Sequence, residues 1–235
     1  DISQLQTLRQ QVNYVSYNDT RLVSEVTFVD PNMQQCVIDY HGDTASVSDV
    51  RWLRCSSSVT YNSLEDLTQF PNLYGLDLYN VSVGDWSPLS SLDLVYFNAD
   101  EANSNFSDLS LLQNMPRLSS ISLWNNRSVT DFSPLLNWTT TALTYLTLSY
   151  SNITDLSVLT GLSGLEILSL SGTQVTDFTP LSHLSLTELS VSDTVFDDLS
   201  ILSGMTELNT LYLGDTDVDD LTPLSSITSL RELYL

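Results

Sequence analysis

The side chains in this sequence that could perform catalysis are few and scattered. The two histidines, His41 and His183, lie in a predicted turn and in a short segment that follows Pro180. Neither has a Ser or Cys nucleophile motif near it, and the pair lacks metal-ligand spacing. We interpret both as solvent-exposed, and we predict no catalytic residues, no enzymatic activity and no cofactor.

One acidic stretch, 214–220, invites comparison with a calcium-binding loop because its aspartates alternate with other residues. Such loops need Gly at the sixth position and a bidentate acid at the twelfth. Asp220 and Ser226 occupy those positions here. We therefore predict no metal site.

The two cysteines, Cys36 and Cys55, are close in sequence. In a secreted chain this favours a disulfide. Closing a loop of this length would stabilise the fold by about 3 kcal/mol in the chain-entropy model. The alternative is a pair of buried free thiols in a reducing compartment.

The overall charge excludes one large class of function. The chain has 235 residues, with seven basic side chains (all arginine) against 29 acidic ones, for a formal net charge of −22. Such a surface repels nucleic acid and anionic lipid headgroups, so we expect no nucleic-acid partner. No apolar run reaches the roughly 18 residues of a membrane span, so we expect no membrane insertion within this chain.

Other features favour an extracellular or cell-surface location. The chain begins at Asp1, as expected after removal of a signal peptide or trimming of the sequence. Glycosylation sequons permit, without requiring, a glycoprotein. They occur at Asn18, Asn80, Asn105, Asn126, Asn137 and Asn152.

The elements that position all these residues repeat about every 22 positions. The segment from Leu165 to Leu181, with its pattern Leu-x-x-Leu-x-Leu, aligns with segments opening at Leu143, Leu186 and Leu208. Further copies start at Val50, Leu73, Leu94 and Leu118, and a partial one starts at Leu230. A period of this length is typical of leucine-rich repeats, which stack into a solenoid with one continuous core.

Within one repeat, alternate residues of a short strand face the core, and parallel strands of successive repeats form one sheet. An aspartate then precedes each short helical turn, where it can accept free backbone N–H groups as an N-cap. These predicted caps are Asp85, Asp108, Asp131, Asp155, Asp177, Asp198 and Asp220.

At the position where such solenoids often carry an internal asparagine ladder, this chain has hydroxyls, with Asn126 the exception. The hydroxyl residues are Ser151, Thr173, Thr194 and Thr216. We expect them to bond successive turns as asparagine would. Extra residues in 98–105, 125–128 and 137–142 predict protruding loops.

We divide the chain into an N-terminal cap, residues 1–49, and leucine-rich repeats, residues 50–235, about eight plus a partial last one. Residues 1 to about 20 have helical spacing of apolar residues. The β-branched stretch 22–29, the turn signal at Asp30-Pro31-Asn32 and the stretch 35–40 predict a hairpin. A helix-hairpin cap would cover the open end of the core.

The repeat Leu-x-x-Leu-x-Leu-x-x-Thr-x-Val-x-Asp-[Phe/Leu]-[Ser/Thr]-Pro-Leu resembles the internalin-type leucine-rich repeats. The resemblance covers about four-fifths of the chain. It implies an α/β leucine-rich-repeat solenoid with a parallel β-sheet on the concave face and short helical or 3-10 turns on the convex face. Many secreted relatives grip a protein partner with the concave sheet. Threonine in place of the usual asparagine, and a cap unlike the bacterial helical one, are departures.

The residues that alternate with the inward leucines mix aromatic, hydroxyl and acidic side chains, with Arg54 the one base. Tyr and Trp are common binding anchors, although they also suit exposed strand positions. The residues that we expect to bind a ligand are Trp52, Asp77, Tyr79, Tyr96, Asp100, Trp124, Tyr145, Glu188 and Tyr212.

These residues favour a recognition or adhesion module for a protein partner with basic features, which the acidic residues would steer. The alternative is a glycan-binding or wall-building protein whose aromatics stack on sugar rings, and a third is a structural part of a larger surface protein. The last strand, 230–235, has no cap. It predicts a longer natural chain or an end-to-end contact between subunits.

Overall fold

The repeats wind into a solenoid with a parallel sheet along one side. The computed structural model describes residues 17–55, 59–101, 103–138 and 141–235. Within them, nine strands pair in parallel in the order β1-β3-β5-β6-β7-β8-β9-β10-β11, and β2 pairs with β4. The strands are β1 (Trp52–Arg54), β2 (Thr60–Tyr61), β3 (Gly75–Asp77), β4 (Ser82–Val83), β5 (Tyr96–Asn98), β6 (Ser120–Ser122), β7 (Tyr145–Thr147), β8 (Ile167–Ser169), β9 (Glu188–Ser190), β10 (Thr210–Tyr212) and β11 (Glu232–Tyr234).

The core is a stack of apolar side chains from the middle of each strand. These side chains are aligned by the sheet register and buried in β1 to β10. They are Leu53, Leu76, Phe97, Ile121, Leu146, Leu168, Leu189 and Leu211. Because alternate strand residues point to opposite faces, the residues on either side of each belong to the concave surface. The predicted leucine-rich-repeat solenoid is confirmed.

Short 3-10 turns return the chain along the convex side. They span Glu65–Gln69, Ser87–Ser91, Leu109–Leu112, Ser133–Asn137, Leu156–Leu159, Thr179–His183, Leu199–Gly204 and Thr222–Ser226. Each of the seven aspartates predicted as caps accepts the backbone N–H two residues further on, at 2.8–2.9 Å. The predicted N-cap is confirmed at Asp108, Asp155 and Asp198. The other four aspartates accept the same N–H from one residue before the N-cap.

In seven consecutive repeats, one position has a left-handed backbone. The residues are Asn80, Glu101, Asn125, Tyr150, Gly172, Asp193 and Asp215, with φ between 53° and 83°. Each is the fourth residue after the central strand residue, and the first six donate their N–H to a carbonyl of the next repeat. For a residue other than Gly this conformation is unfavourable, so the next turn must hold it in place.

The predicted hairpin in the cap is wrong. The 22–29 stretch contains a 3-10 turn, Val23–Glu25, and the 35–40 stretch lies inside a helix, α1 (Pro31–His41). Asp30 is the helix N-cap: its carboxylate accepts the N–H of Asn32 at 2.8 Å. Asp followed by Pro is as good a helix start as a turn, and Met33 and Val37, one turn apart, bury one helix face.

The rest of the predicted cap is only partly visible. The predicted helix over residues 1–20 falls mainly on residues 1–16, which lie outside the described part, and residues 17–20 are not helical. The cap is joined covalently to the first repeat: Cys36 in α1 and Cys55 after β1 form a disulfide with a Cα–Cα distance of 5.7 Å. The predicted pairing is confirmed.

Two buried carboxylates complete the join between helix and repeats. Asp66 accepts the backbone N–H groups of Val29 and Asp30 at 2.8 and 2.9 Å. Asp30 in turn accepts the N–H of Asn62. His41, expected in an exposed turn, is the last residue of α1, and its Nε2 donates to the Trp52 carbonyl at 2.7 Å. This histidine is therefore a structural contact between α1 and β1.

Candidate binding face

The nine residues expected to bind a ligand lie in three adjacent rows. Row A is the first residue of each strand and carries Trp52, Tyr96, Tyr145 and Glu188. Row B is the third strand residue and carries Asp77 and Tyr212. Row C lies two residues further on and carries Tyr79, Asp100 and Trp124. Their spread from β1 to β10 makes this a surface about as long as the sheet.

The N-terminal end of row A is a continuous aromatic surface. The rings of Trp52 and Tyr96 lie 4.6 Å apart at 34°, although they come from strands separated by β3. The intervening residue is Gly75, where a Cβ would lie 2.0 Å from Trp52 Cε3. The absence of a side chain at Gly75 is therefore what lets Trp52 reach Tyr96.

Row B begins with an ion pair. Arg54 Nε lies 3.2 Å from Asp77 Oδ2, with the arginine side chain 57% exposed and the aspartate side chain 9% exposed. Burial raises the pKa of the Asp77 carboxyl; Arg54 opposes the rise, Asp100 adds to it, and the Tyr79 backbone N–H opposes it. Asp77 Oδ1 is buried and has no hydrogen-bond partner in the described part of the chain.

Row C contains a second carboxylate that is well supplied with donors. Asp100 Oδ1 accepts from Ser122 Oγ and from the Trp124 backbone N–H, both at 2.6 Å, and Oδ2 accepts from Asn98 Nδ2 at 2.9 Å. Burial nevertheless raises the pKa of Asp100, and these three hydrogen bonds counter part of the rise. Through these hydrogen bonds Asp100 joins row C to β6.

Tyr79 and Trp124 extend this cluster toward the left-handed position of the repeats. Tyr79 donates its hydroxyl to Glu101 Oε1 at 2.8 Å, and Asn125 Nδ2 donates to Glu101 Oε2 at 3.1 Å. The Trp124 ring meets Tyr150 edge-on at a centroid distance of 6.0 Å. Tyr79 and Trp124 are 37% and 39% exposed, so each has a free surface.

Tyr150, Glu101 and Asp193 were missed from the sequence. All three occupy the left-handed position, and the hydroxyl of Tyr150 reaches Asp193 Oδ2 at 3.1 Å. The sequence signal is the fourth residue after each central strand residue, but a left-handed Tyr is unusual, so residue type alone does not indicate this backbone conformation.

Two of the expected residues, Glu188 and Tyr212, lie outside this N-terminal cluster. Glu188 lies in β9. Burial raises the pKa of Tyr145, and the charges of Asp100 and, to a smaller extent, Glu188 add to the rise, so Tyr145 lies between the cluster and β9. Tyr212 stacks on Tyr234 at 4.5 Å and 8° near the other end of the sheet. The strands between present small hydroxyls, including the pairs Ser149–Ser169 and Ser171–Ser190, each 2.6 Å apart.

The sequons differ in accessibility. Asn126 is completely buried: Nδ2 donates to the Ala99 carbonyl at 2.9 Å, and Oδ1 accepts from the Ser128 N–H. Its amide is unavailable to a glycan in the folded chain. Asn105 is exposed, but its amide hydrogen-bonds to both the N–H and the carbonyl of Val83. Asn18, Asn137 and Asn152 are exposed.

Two of the three segments expected to protrude, 98–105 and 125–128, fold back in part instead. Ser104 and Asn126 are buried and hydrogen-bonded to each other, and the Asn105 side chain holds the 103–106 stretch against β4. The third segment, 137–142, falls partly on residues outside the described part of the chain. The predicted threonine ladder is also wrong: Thr173, Thr194 and Thr216 donate to carbonyls of their own turn, at 2.7, 2.5 and 2.7 Å. At this position the threonine hydroxyls bond within their own turn, whereas the longer Asn126 amide reaches the preceding one.

Within the described ranges, no three His, Cys, Asp or Glu side chains converge as metal ligands. Over the same ranges, no helix combines the length and apolar character that crossing a bilayer requires.

Comparison with known proteins agrees with this geometry. A family profile described as leucine-rich repeats (two copies) matches residues 141–183. The structure of internalin C2 from Listeria monocytogenes superposes with a TM-score of 0.75 at 26% identity, over 94% of this chain and 99% of that one. Fold and repeat are those of an internalin-type leucine-rich-repeat protein.

Two other solved structures extend the internalin-type comparison. Internalin F from the same bacterium has a TM-score of 0.68 at 24% identity, over 91% of this chain and 71% of that chain. The functional domain of InlJ, also from Listeria monocytogenes, has a TM-score of 0.52 at 23% identity, over 80% and 44% respectively. Both likenesses concern the fold. No curated protein sequence matches the chain.

Proposed function

We propose that this internalin-type protein is a secreted or cell-surface binding module that recognises a protein partner through its concave face. The contact between Trp52 and Tyr96 across Gly75 carries the proposal. It joins two large aromatic rings into one surface on the exposed side of the sheet. Rigid aromatic surface of this kind provides contact area at a low entropy cost.

The charge of the protein supports a partner with basic features. Row B, row C and the adjacent left-handed position bring Asp77, Asp100 and Glu101 together with a single arginine, on a chain whose formal net charge is −22. Such a surface accelerates encounter with a positively charged partner and repels acidic ones. The disulfide between Cys36 and Cys55 supports an oxidising, extracellular setting.

We also propose that residues 1–49 act as an N-terminal cap and residues 50–235 as the repeats. Met33 and Val37 bury one face of α1 beside β1, the edge strand of the described sheet. The disulfide and the His41–Trp52 hydrogen bond support the same division, because they fasten α1 to the first repeat.

A glycan is the second candidate ligand. The specific observation in its favour is a group of half-buried hydroxyl side chains on and just after β8 and β9, Ser169, Ser171 and Ser190, on the same face as the exposed Trp124 ring. Hydroxyls can bond to sugar OH groups, and Trp can stack on a sugar ring. A third candidate function is a structural role within a larger surface protein.

The test is a binding screen of the purified protein against a glycan array and against cell-surface proteins. A Tyr96→Ala, Trp124→Ala double variant should lose the genuine hits. The matched control is Tyr40→Ala, Leu136→Ala, which removes an exposed aromatic from α1 and an exposed apolar side chain from a convex turn. A salt-sensitive protein hit lost only in the first variant supports the proposal.

Two outcomes would contradict it. A glycan hit that is insensitive to salt and is lost in the Tyr96→Ala, Trp124→Ala variant selects the second candidate. A protein hit that survives in this variant means that the partner binds elsewhere on the solenoid.

A further inference from the structure

The concave face contains one carboxylate whose hydrogen-bonding needs the protein leaves unmet. Asp77 has a side chain only 9% exposed, and its Oδ1 atom has no hydrogen-bond partner within the described part of the chain. A buried carboxylate oxygen without a donor is costly. Such a group is retained more readily where a ligand supplies the donor.

The nearest donors on the sheet are already engaged. Asn98, the register partner of Asp77 in β5, donates Nδ2 to Asp100 Oδ2 at 2.9 Å and accepts the Asp100 N–H on Oδ1 at 2.8 Å. Arg54 contributes a contact from Nε to Oδ2 at 3.2 Å. The second oxygen of Asp77 therefore receives no donor from either neighbour. The Tyr79 backbone N–H lowers the pKa of this carboxyl but makes no hydrogen bond to Oδ1 within the described part of the chain.

The charge around this atom is negative, and the surroundings are aromatic. Burial raises the pKa of Asp77 most, and Arg54 opposes the rise. The charge of the nearby Asp100 raises this pKa further. The phenols of Tyr79 and Tyr96 both lie within the fields of Arg54 and Asp100. Carboxylates flanked by aromatic rings form a site for a cation.

We infer that Asp77 and Asp100, flanked by Tyr79 and Tyr96, form a subsite for one arginine side chain of the partner, with Arg54 occupying it in the free protein. This rests on the proposed function and names the partner chemistry. A guanidinium can donate to both oxygens of a carboxylate at once, whereas Arg54 contacts one. Arg54 is 57% exposed and can turn outward to solvent.

The prediction is that removing Arg54 opens the subsite. The probe is N-acetyl-arginine amide, titrated into isotope-labelled protein while the Asp77 carboxyl carbon and the Tyr79 amide are followed by NMR. Arg54→Ala should bind the probe about tenfold more tightly than the wild-type protein, because the competing guanidinium is gone. Asp77→Asn should abolish saturable shifts, and the uncharged N-acetyl-citrulline amide should produce none.

The matched control is Arg117→Ala, which changes the net charge equally. Arg117 Nη1 lies 3.1 Å from Asp93 Oδ2, and Asp93 Oδ1 is also buried without a hydrogen-bond partner in the described residues. Arg117→Ala should leave binding at Asp77 unchanged. An equal gain in Arg117→Ala, an equal response to citrulline, or no saturable shift at Asp77 in Arg54→Ala would each overturn the inference.

The titration distinguishes a failure of this inference from a failure of the proposed function. The titration needs no partner protein, and the Arg54→Ala comparison decides it even if Asp77→Asn does not fold. If the probe fails while a protein partner is lost with Tyr96→Ala, Trp124→Ala, the binding face stands and the arginine subsite does not. If the probe binds and the screen yields no concave-face partner, the subsite stands without the proposed function.

Discussion

The hydroxyl of Tyr150 donates a hydrogen bond of 3.1 Å to Asp193, two repeats further along the chain. The ring crosses Gly172, where a Cβ would lie 2.2 Å from Tyr150 Cε1. All three residues occupy the left-handed position of their repeats. Glycine in the middle repeat is therefore what allows a side chain to span it.

Gly172→Ala should be destabilising for two reasons, the positive φ of 66° and the collision with Tyr150. We expect a loss of about 1–3 kcal/mol in the free energy of unfolding, measured by urea denaturation. In a Tyr150→Ala background the same substitution should cost less, since only the backbone strain remains. An equal cost in both backgrounds would show that the ring moves aside freely.

Gly75→Ala should separate Trp52 from Tyr96. A Cβ 2.0 Å from Trp52 Cε3 forces the indole off the sheet. We expect a changed tryptophan fluorescence spectrum and a binding loss comparable to that of Trp52→Ala. The control is Gly204→Ala, where nothing lies within 4 Å of the added atom. If Gly204→Ala alters the spectrum as much, the effect is not specific to the aromatic contact.

Asn126→Thr should test the difference between the two kinds of ladder residue. The substitution removes the amide that joins the Ala99 carbonyl of one turn to the Ser128 N–H of its own. It leaves buried groups unsatisfied, so we expect a loss of about 2–3 kcal/mol by chemical denaturation. Thr173→Val removes one hydroxyl that bonds within its own turn and should cost about 1 kcal/mol.

Removing the disulfide should destabilise the join between α1 and the first repeat. Cys36 and Cys55 are 19 residues apart, and the double Cys→Ser variant loses about 3 kcal/mol in the chain-entropy model. Thermal unfolding of the variant, compared with the oxidised and reduced wild-type protein, measures the effect. If the reduced wild-type protein unfolds at the temperature of the oxidised protein, and not at that of the variant, this account is wrong.

Acid should act in opposite directions on the two faces. Hydrogen bonds from Ser and Thr at the turn starts lower the pKa of Asp85, Asp131, Asp155, Asp177 and Asp198. A group whose pKa is lower in the folded state stabilises the fold above its unfolded pKa of about 3.9, and that contribution disappears as the pH falls further. Stability should therefore decline below about pH 4.

Asp77 and Asp100 have the reverse sign, because burial raises the pKa of both in the folded protein. They bind protons before the unfolded chain does, so acidification through that range relieves the cost of burying their charge. Carboxyl-carbon NMR should show Asp100 titrating at higher pH than Asp177. The same or the reverse order would contradict the burial argument.

The repeats were predictable because their signals are local and occur many times. Leu168 and Asp177 each had several equivalents, so a chance match at one position did not matter. The fold of the cap was not predictable in this way, because Asp30-Pro31 fits both a turn and a helix start. Only the packing of Met33 and Val37 on the first repeat decides between the two. A single copy of an ambiguous signal needs tertiary information.

The binding face was predictable as a set of rows but not as a set of contacts. Alternation along each strand identified Trp52 and Tyr96, yet nothing local indicates that Gly75 lets them touch. The bond from Tyr150 to Asp193 spans 43 positions, and it depends on the backbone conformation at both ends. Contacts of this kind follow from the curvature and stacking of the solenoid.

The two kinds of ladder residue give the solenoid an uneven elasticity. Asn126 ties its turn to the preceding one, whereas Thr173, Thr194 and Thr216 bond only within their own turns. At this position the later turns are held by backbone pairing and core contacts alone, so they should bend more readily. A solenoid of this kind would adjust the curvature of its later turns to a docked protein, while the end that carries Trp52 and Tyr96 keeps its shape.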